Sequence, residues 1–496
     1  MFHRIHTSRA PLFSVFLSIV FFGCSVGPDY IPPDPSLPSG YAQPELGEDL
    51  NLARYWELLG DPVLDGLIER GGGSNLSLQE AVFRLKESFS LYGARNSDFF
   101  PELGLVSTIQ KRRRSEGVAS AISSPNNDFV SVGGALSWEI DIFGRLRRLR
   151  ESAQASAEAS LEDFRGTLVS LQAEIALSYI RYRTFQAEID LTNENIRSQK
   201  ESFELAKGRF TAGIAPELDL RQAESNLNET QAALPALRRS IAVEKNRLAV
   251  LLGLFPQEVE PLLNAVQAIP PFPKVESTTL PLDVLRQRPD IRRAEREFAA
   301  QHALIGAVEA EWYPIVSLPG TISFEALNNL ENAFRGSSLA YTVGPSVTLN
   351  LLDFGRRRHT VEAQEYRTSQ FESRYRQTVL EAVQEVENAL ATFREEKIRT
   401  KYLRQSVEAS RRSTELVKSL YVSGLTDFQN VLDSERTLFS QQISLAESSG
   451  DVFQAFVSLY RALGGGWQKQ ENPMDTNTET GVAGQDTPDY RDRKPS

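Results

Sequence analysis

Four stretches of this chain alternate apolar residues with small or polar ones. From Phe129 to Asp141, Val130, Val132, Leu136, Trp138 and Ile140 hold the even positions, and Ser131, Ser137, Glu139 and Asp141 hold odd ones. From Leu339 to Leu351, Leu339, Tyr341, Val343, Val347, Leu349 and Leu351 share one parity; Thr342, Ser346, Thr348 and Asn350 take the other. Val316, Leu318, Ile322 and Phe324 alternate with Ser317, Thr321 and Ser323, and Leu103, Leu105 and Ile109 repeat the pattern more weakly. Successive strand side chains point to opposite faces, so period two predicts four strands, each with one apolar face. The polar segments Arg112–Asp128 and Glu325–Ser338 close them into two hairpins.

After Gly144 and Gly355 the period changes. Leu161, Phe164, Leu168, Leu171, Ile175, Tyr179 and Tyr182 step by three and four, a coiled-coil-like helical stripe. No proline interrupts Gly144–Ile214 or Gly355–Gly424. Each span predicts a helix of about 65 residues, ~100 Å long at the usual rise. Gly213 and Gly424 are the expected turns, and return helices of about 37 residues are expected to end at Gly253 and Gly464. Shorter helices are expected at about Asn75–Ser97 and Leu282–Glu311, each followed by a proline and a hairpin.

These paired features are one unit written twice. Phe143-Gly144-Arg145 recurs as Phe354-Gly355-Arg356, 211 residues on, and Gly213, Glu224 and Gly253 recur at the same spacing as Gly424, Glu435 and Gly464. Upstream, Gly93-Ala94 with Phe100-Pro101 recurs 213 residues on as Gly306-Ala307 with Tyr313-Pro314. A duplicated unit of helix, hairpin and long helical hairpin follows.

The ends read differently. Arg4 and Arg9, an apolar run from Pro11 to Phe22, and Gly23-Cys24 form a secretory signal too short to span a bilayer. Cys24 is the one cysteine in the chain, placed where cleavage would leave it first, and is the candidate for lipidation. A proline-rich stretch to Asp49 reads as an extended strap, and the polar Gln468–Ser496 as a disordered tail. The expected divisions are 1–23 signal peptide, 24–50 anchor and strap, 51–253 first repeat, 254–281 insertion, 282–464 second repeat, and 465–496 chain end and tail.

Composition narrows the function. The 496 residues carry a net charge of −11 and four histidines, two of them before residue 7. An acidic surface repels phosphate backbones, which disfavours nucleic acid as a partner. No phosphate-binding glycine loop, nucleophile elbow or histidine pair at metal-ligand spacing occurs, so no catalytic centre, cofactor or metal is expected.

Strands of about ten residues match an outer-membrane crossing. Four cannot close a barrel, and an open edge in lipid leaves backbone groups unpaired, so the barrel must be shared between copies. Each return helix plus a short helix equals one long helix, which makes four helical columns per chain.

Cys24-Ser-Val-Gly-Pro-Asp-Tyr30, Asp141-Ile-Phe-Gly-Arg145 with Asp353-Phe-Gly-Arg356, Arg209-Phe-Thr-Ala-Gly213 with Leu218-Asp219, and Arg286-Gln-Arg-Pro-Asp290-Ile together resemble the lipoprotein branch of the TolC-type outer-membrane efflux factors, the OprM/NodT-like group. The likeness runs from about Cys24 to Trp467. It implies a homotrimer with a 12-strand outer-membrane β-barrel continuous with a periplasmic α-helical barrel, an α+β membrane protein. An equatorial belt would come from Leu52–Glu69, Leu254–Pro281 and the region of Trp467. The implied partners are a periplasmic adaptor, an inner-membrane pump of the resistance-nodulation-division class and outer-membrane lipid. The tip turns Gly213 and Gly424 would dock them, and Gln429, Asp433 and Arg436 match the positions that close the periplasmic mouth. Phe143, Gly144, Phe354 and Gly355 would be the strand-to-helix junctions. The arginines after those junctions, Arg145, Arg147, Arg148 and Arg150 with Arg356, Arg357 and Arg358, face either lipid phosphates or acids on the helix. The competing reading is a lipid-anchored coiled-coil scaffold without channel activity.

Overall fold

The computed structural model describes residues 25–34, 52–113, 126–263, 282–327 and 334–467. The signal, Cys24 and the polar tail lie outside them.

The duplication is visible element by element. The long helices α3 (Arg145–Thr211) and α7 (Arg356–Val422) have 67 residues each, and the return helices α4 (Glu217–Leu251) and α8 (Phe428–Ala462) have 35 each. Both return helices follow tip turns at glycines with positive φ, Gly213 at 72° and Gly424 at 74°, where an L side chain is strained. The short helices are α2 (Leu76–Ser97) and α6 (Pro289–Glu309).

α2 continues the line of α4. The Asn75 side chain caps α2 through Leu78 N and donates to Leu251 O at 2.9 Å, while Ser74 Oγ donates to Leu252 O. α6 continues α8 likewise, with Arg288 Nη1 donating to Ala462 O. The chain therefore forms four columns in the spatial order α4/α2, α3, α8/α6, α7.

Three of the four expected strands are cut. β1 (Glu102–Arg113), β2 (Asn126–Ser137), β5 (Gly320–Leu327) and β6 (Leu339–Val343) form one antiparallel sheet in the order β1-β2-β5-β6. β3 (Glu139–Ile140), β4 (Ile315–Ser317) and β7 (Ser346–Thr348) form a second, in the order β3-β4-β7. The cuts fall at Trp138, Leu318-Pro319 and Gly344-Pro345. Pro319 and Pro345 have no N–H to give a ladder, so pairing lapses there and resumes beyond. The second short helix also starts later than expected: Leu282–Gln287 is a 3-10 turn, and Pro289 takes the first position of α6.

The main core sits midway along the columns. The stripe from Phe164 to Tyr182 is buried there with Leu248, Leu252, Val386, Phe456 and Tyr460. A 3-10 segment (Leu52–Leu59), α1 (Pro62–Ser74) and α5 (Pro256–Leu263) wrap this level, and Tyr55 stacks on Tyr460 with centroids 4.8 Å apart. α1 was not among the expected helices, and it carries Gly71-Gly72-Gly73 in its last turn. It stays helical against α3: a Cβ on Gly71 would come within 2.3 Å of Ile175 Cδ1.

Candidate functional site

The sheet register sorts the alternating residues onto faces. Leu103 pairs with Leu136, Leu105 with Gly134 and Ile109 with Val130; Val132 pairs with Phe324, and Ile322 with Tyr341. Directly paired residues share a face, so these apolar side chains form one surface. Ser131, Thr321, Ser323 and Thr342 lie on the other. Leu103, Leu105, Ile109 and Tyr341 are each at least 76% exposed, an apolar patch of the kind that marks a partner or membrane surface. β1 and β6 are the sheet's two unpaired edges.

Each junction is a left-handed glycine followed by an acid-capped helix. Gly144 (φ 85°) and Gly355 (φ 91°) immediately precede α3 and α7. Asp141 accepts from the backbone N–H groups of Leu146 and Arg147, and Asp353 from that of Gly355, the favourable place for a carboxylate. Phe143 stacks on Tyr313, whereas Phe354 is 97% exposed. The arginines pair with acids: Arg145 with Glu139 at 2.6 Å, Arg147 with Asp141 at 3.2 Å, Arg357 with Asp353 and Arg358 with Glu362. Arg148 pairs with Asp29 and Glu151, whereas Arg150 lies over the Phe99 ring and Arg356 forms no ion pair among the described residues.

Residues 25–34 lie as a strap from the first junction along α6. Val26 N donates to Phe143 O, and buried Arg148 binds Val26 O, Gly27 O and Asp29. Tyr30 donates to Glu295 at 2.5 Å and meets Phe298 and His302 edge-on. His302 is thus a packing residue, its basicity lowered by burial.

At the tips, Tyr421, Phe428, Val431 and Leu432 bury a small core with Ala206 and Ala223. Gln429 Nε2 donates to Asp433 Oδ1 at 2.9 Å, one turn along α8, and both are exposed. Arg436 does not turn to Asp433 of its own chain; its Nε donates to Asn226 Oδ1 on α4 at 2.8 Å. Three further residues join the tip. Arg209 lies over the Tyr421 ring at 4.8 Å and donates to Tyr421 O, while the Tyr421 hydroxyl reaches Asp219 at 3.4 Å. Arg209 and Asp219 belong to the tip motif in the sequence; Tyr421 and Asn226 carry no signal of their own there.

Between core and tips the seam of α3 with α8 is polar. Glu188, Thr192, Asn195, Gln199 and Ser202 are all buried, continuing the helical stripe at the same spacing. Asn195 bonds Gln442, and Ser202 bonds Glu435 at 2.6 Å. Burial, then the nearby Glu447 carboxylate, pushes Glu188 up to about 7.

No helix among the described residues is long and apolar enough to cross a membrane. The profile of the outer membrane efflux proteins matches residues 67–254 and again 280–465. The chain belongs to this family. The two matches follow the two repeats. Among its relatives, Nodulation protein T of Rhizobium leguminosarum bv. trifolii is 30% identical over 472 residues, 94% of this chain and 98% of that protein. Outer membrane protein OprJ of Pseudomonas aeruginosa is 28% identical, covering 93% of this chain and 97% of its own. The structure of the outer-membrane channel OprN superposes with a TM-score of 0.84 at 32% identity, over 90% of this chain and 100% of that one. CusC superposes with a TM-score of 0.79 at 25% identity, over 89% and 100%. Membership makes the protein an outer-membrane efflux channel and not an enzyme, and it removes the scaffold alternative.

Proposed function

We propose that the protein is the outer-membrane duct of a tripartite efflux system, working as a homotrimer. One observation carries the reading: the open edges of the sheet and of the helical columns fall on the same two sides of the chain. β1 follows α2 at one edge; β6 leads through β7 to α7 at the other. Edge β1 of one copy can therefore pair with β6 of the next while column α4/α2 packs on the next copy's α7. Such a head-to-tail contact repeats until it closes. Three copies give 12 strands, enough for an aqueous barrel, with its apolar face to lipid and its polar face to the lumen.

In this arrangement the columns extend into the periplasm and the turns at Gly213 and Gly424 meet an adaptor and an inner-membrane pump of the resistance-nodulation-division class. The cargo belongs to the solutes such pumps discharge; SrpC of Pseudomonas putida, 29% identical over 92% of this chain, is a solvent efflux pump outer membrane protein. Gln429, Asp433 and Arg436 form the periplasmic constriction, with Asp433 supplying a ring of carboxylates. A lipid on Cys24 anchors the chain beside the barrel, because Ser25, the next residue, packs against Gly144 at the strand-to-helix junction. The divisions 51–253 and 282–464 are then the two halves of each subunit, with 254–281 and the chain end at the equator.

Light scattering in detergent tests the assembly. The reading predicts a monodisperse trimer; a folded, monodisperse monomer contradicts it.

A further inference from the structure

The duplication allows the face between copies to be read from within one chain. Each copy carries two repeats, and the seam between them is fully described: α3 of the first packs on α6 and α8 of the second. In a closed ring the second repeat of one copy must meet the first repeat of the next in the same way. The long and return helices of the two repeats are offset by 211 residues, as Arg145 and Arg356 or Glu217 and Phe428 show. The short helices are offset by 213, the spacing of their cap residues Asn75 and Arg288. Every contact across the internal seam therefore names its counterpart between copies.

Three ion pairs cross the internal seam between α3 and α6: Glu158 with Arg296, Glu162 with Arg292, and Asp163 with Arg293, the last 2.8 Å apart. The counterpart of Asp163 is Arg374 of α7, and that of Arg293 is Glu80 of α2. The charges have changed places together. Both counterparts are exposed, and neither has an ion-pair partner among the described residues of its own chain. We propose that Arg374 pairs with Glu80 of the neighbouring copy, and that this reversed pair fixes the register of the subunit interface in the ring. The inference rests on the ring reading above.

Two further pairs agree, whereas Glu162–Arg292 and Glu158–Arg296 recur as the uncharged Ser373–Gln79 and Ser369–Phe83. Ser202 with Glu435 recurs as Ser413 with Glu224, the same residue types. Thr184, which touches Gly450, recurs as Glu395 opposite Arg239, again a complementary pair. Glu435 is 4% exposed on the internal seam, whereas the side chain of Glu224 is 45% exposed in the single chain, as an unformed interface requires. Reversal at Arg374 and Glu80 has a further consequence. The outer seam therefore selects α7 as its neighbour: were the outward face of α2 to meet the α3 of another copy in place of its α7, Glu80 would oppose Asp163, a like-charge contact that raises the energy of the wrong register.

Charge exchange tests the pair. In Glu80→Arg every interface sets two guanidinium groups together, and in Arg374→Glu two carboxylates. Each single variant is expected to dissociate from the detergent-purified oligomer about tenfold faster than the parent, and the double variant Glu80→Arg/Arg374→Glu to recover most of that loss. The neutral variant Glu80→Gln/Arg374→Gln, which poses no repulsion, should fold and fall between. Singles that dissociate like the parent, or a double variant no better than the singles, overturn the pairing and leave the ring standing. A parent that is itself monomeric overturns the ring.

Discussion

The guanidinium of Arg148, at the start of α3, closes on the carboxylate of Asp29 at 2.9 Å and on the carbonyl of Gly27 at 3.0 Å. One buried side chain thus ties the strap to the junction where sheet becomes helix. The strap lies so close to α6 that a Cβ on Gly27, at a φ of +90°, would meet Gly306 Cα at 2.3 Å.

Loss of this clamp should free the strap. Arg148→Ala removes charge-assisted hydrogen bonds, each worth ~2 kcal/mol, and Gly27→Ala adds both strain and a clash. Both variants are expected to melt several degrees lower and to lose residues 25–34 to limited proteolysis, with the helices intact. Parent-like melting and protection would mean that the strap carries no load.

Glu188 should make stability depend on pH. Its carboxyl holds its proton to about 7 in the folded chain against an ordinary 4.5, because it is buried beside Glu447. Below 4.5 the group is protonated whether the chain is folded or not. Between 4.5 and 7 the folded chain holds a proton that the unfolded chain releases, so stability falls as pH rises through that window. Glu188→Gln is expected to stabilise the protein at pH 8 by on the order of 1–3 kcal/mol and to change little at pH 4. Melting curves at the two values check this; an equal effect at both would assign the gain to something other than ionisation.

The tip should control ions. A ring of Asp433 carboxylates in a narrow throat favours cations, so Asp433→Ala is expected to lower the cation preference in reversal-potential measurements. Arg436 holds Asn226 across to α4, so removing Arg436 as well should raise single-channel conductance or admit large antibiotics. Unchanged selectivity and conductance in both variants would make these residues an ordinary solvated face.

Much of this molecule is legible in its sequence because duplication states each feature twice. The 67-residue helices, the tip glycines and the apolar parity of Leu103, Val130, Ile322 and Tyr341 all follow from period and spacing. What escaped depends on contacts. α1 keeps its helix through three glycines, and at the first of them, Gly71, Ile175 occupies the space of a side chain. The strands break at Pro319 and Pro345 although their alternation continues across the gap. The seam of Glu188, Asn195 and Ser202 keeps the helical stripe in polar residues, which hydrophobic periodicity cannot register. At the tip, the partner of Arg436 is 210 residues away in sequence, so spacing along α8 could not name Asn226.

The central claim is that copies of this chain close around a water-filled passage. Reconstituted into a planar bilayer, the purified oligomer should give discrete, ohmic conductance steps that vanish when the protein is heat-dissociated beforehand. A folded oligomer that inserts into the bilayer and passes no current would contradict the account.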